Sequence, residues 1–382
     1  MKKLSGIPYV LFLLLVSMVL ISGLSAQDAV GRIMYLEGIV DVHREGELLE
    51  LFDYDIGMDI YNYDLIETGE DGLVEVEIVN LGQQGSMVQV TENTAFYFDT
   101  THLGGDSQNK LSMLSGSLHL KVQKLTGRED VTVTTESAVM GVRGTEFTVS
   151  EAPETSVLVT CTEGAVTCTD DKNNRLTAQQ GRIVEKRPDE PVNGVAVDPG
   201  DEALYRQFWL NQREEVFKAG AVTFVRGYSN RYAQLLPMFE DAYRDLYKVR
   251  DILEKHGQAG ASGAMGATGT MVQIKGEVSD EIFAMRSVFP VFEEVFYTVQ
   301  LLERYHSQGI GVCEIERRYS SADFFEDFSA ERETLKQKMS YVRYLFRLYT
   351  NISNAAGGGF EGPEFMDSIM NSDNPLGSMG GN

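Results

Sequence analysis

The stretch T-E-S-A-V-M-G-V-R-G-T-E-F-T-V, Thr135 to Val149, decides how the chain reads. Gly141 and Gly144 bracket Val142 and Arg143, and an alternating run starts at Thr145. Glycine permits positive φ and close backbone approach, so both glycines read as a tight corner and not as a strand interior. Beyond the corner, Phe147 and Val149 alternate with Glu146 and Thr148, the period-two pattern of a half-buried strand. Arg143 sits at the corner, where a cation needs a partner. It reads first as a structural arginine holding the turn, and second as an anion or ligand contact.

Outward from this corner, Ala29 to about Arg187 reads as β-structure. Short alternating runs end in Gly, Asn or Asp turns: Gly31 to Leu36, Ile39 to Val42, Leu73 to Val79, Met87 to Val90, Ala95 to Phe98, Leu118 to Val122 and Val131 to Thr134. One unit recurs. L-E-G-I-V-D-V at Leu36, L-S-G-S-L-H-L at Leu114 and T-E-G-A-V-T-C at Thr162 each place a residue and a glycine before an alternating strand. The units read as hairpin or solenoid-like turns stacked in one sheet system. A two-residue turn at Glu163-Gly164 predicts Cys161 opposite Val166 and Val159 opposite Cys168. Cys161 and Cys168 are then diagonal neighbours about 7–8 Å apart, too far for an unstrained disulfide, so buried thiols are favoured over a bridge.

The segment A-V-M-G-V-R-G-T-E-F-T-V resembles the signature of the FecR domain, an extracytoplasmic all-β module of bacterial signalling regulators. Tyr63 to Gly72, Lys110 to Val122, Val157 to Cys168 and Leu176 to Val184 resemble further segments of that family. The resemblance implies that Gly141, Val142, Arg143, Gly144, Thr145, Glu146 and Phe147 form the family signature. It is specific for a fold and weak for a function. In the family's regulators the domain lies outside the membrane and relays a receptor's signal to a cytoplasmic sigma factor. Only a handful of residues precede the first apolar run here, which departs from that plan.

That run, Ile7 to Ile21, follows Lys2 and Lys3 and precedes Ser22, Gly23, Ser25 and Ala26. The pattern is that of a signal peptide over residues 1–26, cut after Ala26. It implies a periplasmic or secreted protein. Uncleaved anchoring is the alternative, although about 15 apolar residues fall short of the roughly 20 a spanning helix needs.

Past a β domain over 27–187, residues 188–200 read as a linker with Pro188, Pro191 and Pro199. Asp198 is the expected N-cap of a helical domain over 201–354. Leu204, Phe208 and Val216 stripe a first helix, with Trp209 beside them. Tyr232, Leu235, Phe239, Tyr243, Leu246, Val249 and Leu253 stripe a second, which Pro237 should kink or start. A Gly/Ala-rich insert at 257–271 reads as a flexible linker. Ile282, Met285, Phe289, Phe292, Val295, Val299 and Leu302 resume the helical period, with Pro290 a second expected kink. Phe324, Phe328, Leu335, Met339, Val342, Phe346 and Tyr349 form a last stripe. These spacings fit a bundle core or a seam for self-association. Residues 355–382 read as disordered. The fold class is therefore β then α: stacked hairpins, solenoid- or sandwich-like, followed by a helical bundle.

Lys plus Arg total 33 against 57 Asp plus Glu, a net charge of −24. A field of that sign repels nucleic acid phosphates and anionic lipid heads, so both are poor partners. Three cysteines and five scattered histidines offer no zinc spacing, and no nucleophile elbow, H-E-x-x-H or Walker loop is present. No catalytic residue, cofactor or metal is assigned. Tyr61, Tyr63 and Asp64 belong to an acidic-aromatic run that reads as a solvated edge, with a glycan-binding surface as the sharper alternative. The chain reads as an exported, non-enzymatic binding or scaffold protein of the cell envelope with a protein partner. The alternatives are a membrane-anchored sensor related to FecR regulators and a carbohydrate or peptidoglycan binder.

Overall fold

The computed structural model describes residues 29–52, 55–79, 85–103, 106–123, 130–142, 144–261 and 268–355. The expected signal peptide, Arg143 and residues 356–382 lie outside them.

Among the described residues, eighteen strands form the N-terminal part. They are β1 (Gly31–Glu37), β2 (Val40–Arg44), β3 (Glu47–Glu50), β4 (Asp59–Ile60), β5 (Leu65–Thr68), β6 (Leu73–Ile78), β7 (Met87–Val90), β8 (Ala95–Leu103) and β9 (Asp106–Ser115). There follow β10 (Ser117–Lys121), β11 (Asp130–Thr134), β12 (Ala138–Val142), β13 (Glu146–Glu151), β14 (Val157–Glu163), β15 (Ala165–Asp170), β16 (Arg175–Gln179), β17 (Arg182–Lys186) and β18 (Asn193–Ala196). Apart from the β16–β17 pair at Gln179 and Arg182, which joins them, their pairings resolve into two layers. Layer A runs β4-β1-β6-β7-β10-β13-β14-β17-β18. Layer B runs β3-β2-β5-β8-β9-β11-β12-β15-β16. The pair β9–β11 is parallel and the rest are antiparallel. The chain alternates between layers, laying one or two strands in each before crossing back.

The recurring glycine unit marks these crossings. Gly38, Gly116 and Gly164 stand between β1 and β2, β9 and β10, and β14 and β15, all with positive φ. At Gly116 a Cβ would sit 2.2 Å from Thr94 Oγ1, and at Gly164 it would sit 2.6 Å from Thr145 Cγ2. Both corners are thus left-handed and closed to any side chain. The solenoid-like reading of the unit holds, and the hairpin reading of Glu163-Gly164 does not. β14 pairs with β13 and β17, while β15 pairs with β12 and β16, so the expected Cys161–Val166 register is absent. A single glycine with φ +83 turns the strand out of its own layer instead of folding it back. Cys161 and Cys168 are free, buried thiols, one in each layer. Burial pushes them up to about 11 and about 12.

Gly141 also departs from its expected place. It lies inside β12, opposite Thr132 and Thr167, whereas Gly144 has the turn's positive φ of +62. The strands' inward residues make one core between the layers, including Val42, Ile66, Val76, Val90, Phe96, Leu120, Phe147 and Val166.

The helices are α1 (Glu202–Lys248), α2 (Arg250–Ala261), α3 (Thr268–Ser307) and α4 (Ser321–Ala355), with a small hairpin, β19 (Glu314–Glu316) and β20 (Tyr319–Ser320), before α4. α1 starts at Glu202, not after Asp198, because the Glu202 carboxylate accepts the Gly200 and Gly181 amides at 2.7 and 3.0 Å and pins the start to the β16–β17 corner. The expected linker contains the edge strand β18. The first expected helix and most of the second are one, 47 residues long, running through Pro237, while Leu253 of the second stripe falls on α2. Pro290 likewise lies inside α3. The flanking Leu235 and Phe239 are buried, and that packing outweighs the lost backbone bond. α2 continues into the expected flexible insert as far as Ala261. Gly257 is there for contact: a Cβ on it would lie 2.6 Å from Leu348 Cβ.

The stripe read for the start of α1 is its wet face. Leu204, Phe208 and Val216 are exposed, whereas Trp209 is buried against Leu158 and Ile183 on the outer face of layer A. Phe217, Ala221 and Val225 carry the buried face onward. The two later stripes, on α3 and α4, are buried throughout. Leu65 and Ala95 of layer B join this helical core, so the helices roof the outer face of that layer.

Candidate functional site

The roofed face of layer B is where polar chemistry concentrates. It is built by two helical stripes. On α4, Lys336, Ser340, Arg343 and Arg347 recur at i, i+4, i+7 and i+11, which is one line along a helix. On α3, Glu293, Tyr297, Gln300 and Arg304 recur with the same spacing. The α4 line meets β5 and the β2–β3 turn, and the α3 line meets β5 at Glu67 and β8 at Tyr97.

At the middle of the seam stands Glu67 of β5. Lys336 Nζ donates to both of its oxygens at 2.9 Å, Gln300 Nε2 donates at 2.6 Å, and His43 Nε2 lies 3.0 Å away. Burial pushes this carboxyl up, yet the His43 hydrogen bond and the Lys336 charge outweigh burial and hold it well below the usual carboxylate range. Ser340 Oγ accepts the Gly46 amide at 3.0 Å. About two turns on, Arg347 pairs with Glu45 and lies 3.9 Å from Asp64.

Asp64 is 1 % exposed. Arg44 donates to it from Nε at 2.9 Å and Nη2 at 2.6 Å, and the Tyr61 amide donates at 2.9 Å. The Arg44 guanidinium also lies over the Tyr61 ring, 4.6 Å from its centre. Tyr63 stacks on Tyr97 within the helical core. The edge expected at Tyr61, Tyr63 and Asp64 is therefore not a solvated one. The helices cover it, and the acid is an internal anchor for two arginines. Between the lines, Arg343 and Glu293 form an ion pair in which each side chain is 1 % exposed. Burial raises the Glu293 carboxyl, and the Arg343 charge and a Tyr97 hydrogen bond pull it back.

A cavity of about 260 Å³ opens beside Glu67. One wall is the α3 line Tyr297, Gln300, Leu301 and Arg304. The other consists of the crossovers at Ile39, Gly69, Asn93 and Ser115. Arg304 Nη1 donates to Asn93 Oδ1 across it.

The signature residues lie elsewhere. Phe147 and Val142 are core, and Glu146 faces outward at 3.3 Å from Lys121 Nζ. His119 shares that outer face, bonded to Thr148 Oγ1 at 3.0 Å and 3.7 Å from Glu146. The described part of the signature is thus a structural corner. The seam residues were readable only as polar lines beside apolar stripes, since the β-domain partners of the helical residues are more than 200 residues away in sequence. Among the described residues, no group of three His, Cys, Asp or Glu could hold a metal ion, and no helix is long and apolar enough to cross a membrane.

Residues 64–167 match the family described as FecR protein, so the chain carries a FecR domain. The match runs from the start of β5 into β15 and leaves out the helices. Two crystal structures, at 2.50 and 1.65 Å, of a protein from Parabacteroides distasonis described provisionally as an anti-sigma factor are similar at 17 % identity and a TM-score of 0.31. Each similarity covers 37 % of this chain and 64 % of that one. No curated protein matches the chain.

Proposed function

We infer that this chain is a non-catalytic signalling regulator of the cell envelope, built on a FecR domain and recognising a protein partner. The supporting observation is the FecR domain's fusion to a helical roof through the charged seam. Glu67–Lys336 and Arg347–Asp64 tie the roof to layer B, and Arg343–Glu293 ties its two helices together, so the roof is built to move with that layer. A partner bound on either part then acts on both, which is what a relay requires. Apart from Arg304, the charged groups of the seam are paired with one another, as in a structural network. The negative field of the chain favours a partner with a basic surface.

Crosslinking and pull-down of the exported protein from envelope extract tests this, with Lys336→Ala beside the wild type. A protein captured by the wild type and weakened in the variant supports the reading. Capture of glycan alone, or no capture, contradicts it.

A further inference from the structure

The cavity beside Glu67 is bounded by two parts of the chain that differ in chemistry. Four crossovers of the layered domain supply small and polar groups, among them Asn93, Thr94 and Ser115, with Ile39 and Ala95 as apolar surface. α3 supplies Leu301, Gln300 and the guanidinium of Arg304. Its volume, about 260 Å³, corresponds to roughly nine waters at ~30 Å³ each. That is room for a molecule of about ten non-hydrogen atoms, at the small end of ligand sites.

Arg304 distinguishes this cavity from the rest of the seam. Lys336, Arg343, Arg347, Arg44 and Arg332 each have a carboxylate within ion-pair distance. Arg304 has none among the described residues, and its hydrogen-bond partner is the neutral Asn93. Glu67, which shares the cavity, is already occupied by Lys336, Gln300 and His43. Glu70 acts on Arg304 only beyond ion-pair distance, from the exposed rim. A largely buried cation without a counter-ion is costly unless an anion completes it. A guanidinium offers a planar fork of donors, and a carboxylate fits that fork with two parallel hydrogen bonds.

We propose that this seam cavity binds a small organic carboxylate, its oxygens on Arg304 and its short apolar body against Ile39, Ala95 and Leu301. The ligand bridges the crossovers of the FecR domain and α3, so its binding tightens the roof on layer B. This proposal goes beyond the partner-binding reading and does not depend on it.

The test uses the full exported chain. Thermal unfolding and isothermal titration are run with acetate, butyrate and benzoate, and with butyramide and benzamide as uncharged counterparts of similar shape. Arg304→Gln, Arg304→Lys and Ile39→Trp, the last filling the rim from an exposed position, are compared with the wild type. The proposal expects saturable binding and a raised unfolding temperature with butyrate or benzoate, and neither with the amides. It expects affinity roughly tenfold or more weaker in Arg304→Gln, the loss of one charge-assisted fork, with a smaller loss in Arg304→Lys. Ile39→Trp blocks binding while keeping Arg304. Absence of saturable binding by any of the three acids overturns the proposal. So does equal binding of acids and amides, or unchanged affinity in Arg304→Gln.

Discussion

Arg343 and Glu293 show what the seam asks of single residues. Each is 1 % exposed, and Arg343 Nε and Nη2 have no hydrogen-bond partner. Such a pair contributes little net stability, because desolvation cancels most of the attraction, but it fixes which face of α4 meets α3. Removing one partner strands the other. Arg343→Met is therefore expected to lower unfolding stability by about 3–5 kcal/mol in chemical denaturation. Arg343→Met combined with Glu293→Leu should recover most of that loss. A single variant with wild-type stability would contradict the assignment. None of this was legible at the residue level. Phe147 announces itself as core by alternation, whereas Arg343 looks like any polar residue on a helix until Glu293 of α3 and Tyr97 of β8 are placed against it.

At the level of elements, the layered strands were legible because their signals are local. Alternation shows a strand's two faces, and the glycine of each recurring unit shows where it ends. What the glycine does was not legible: a left-handed corner can return a strand to its own layer or send it to the other. The start of α1 misled for a different reason. Leu204 and Phe208 have helical spacing, and Trp209 lies one step round the same helix. Only the apolar outer faces of β14 and β17, at Leu158 and Ile183, decide between them. Trp209 also donates its indole proton to Glu185 at 2.7 Å. Trp209→Ala should cost about 3–5 kcal/mol, in the range for a buried aromatic. Phe208→Ala should change stability by no more than about 0.5 kcal/mol, as surface positions do. Urea midpoints compare the two, and the reverse order would mean that the other face is buried.

Across the whole molecule, the layered part and the helices also meet where carboxylates outnumber cations. Glu136 precedes β12, Glu151 ends β13 and Glu294 lies on α3, while Arg231 of α1 lies 3.8 Å from Glu136. Burial and the neighbouring Glu136 charge push the Glu294 carboxyl up to about 8, against the pull of Arg231. Burial also raises Glu136 and Glu151. A carboxyl raised on folding keeps its proton in the folded chain longer than in the unfolded one. Its contribution is thus most favourable below the ordinary carboxylate range and declines as pH rises to about 8. Urea midpoints measured from pH 5 to 8 should fall less steeply for Glu294→Gln than for the wild type. Parallel profiles would show that Glu294 does not titrate in this window.

The central claim is that a FecR domain and a helical roof form one cooperative body through the Glu67 seam. Hydrogen exchange of the full chain across a urea series tests it most directly, reading peptides from β5 and from α4 in the same samples. The account predicts that both lose protection at one urea concentration, and that Lys336→Ala lowers the two midpoints together. If α4 opened at low urea while β5 stayed protected, the roof would be a separate unit and the relay built on it would fail.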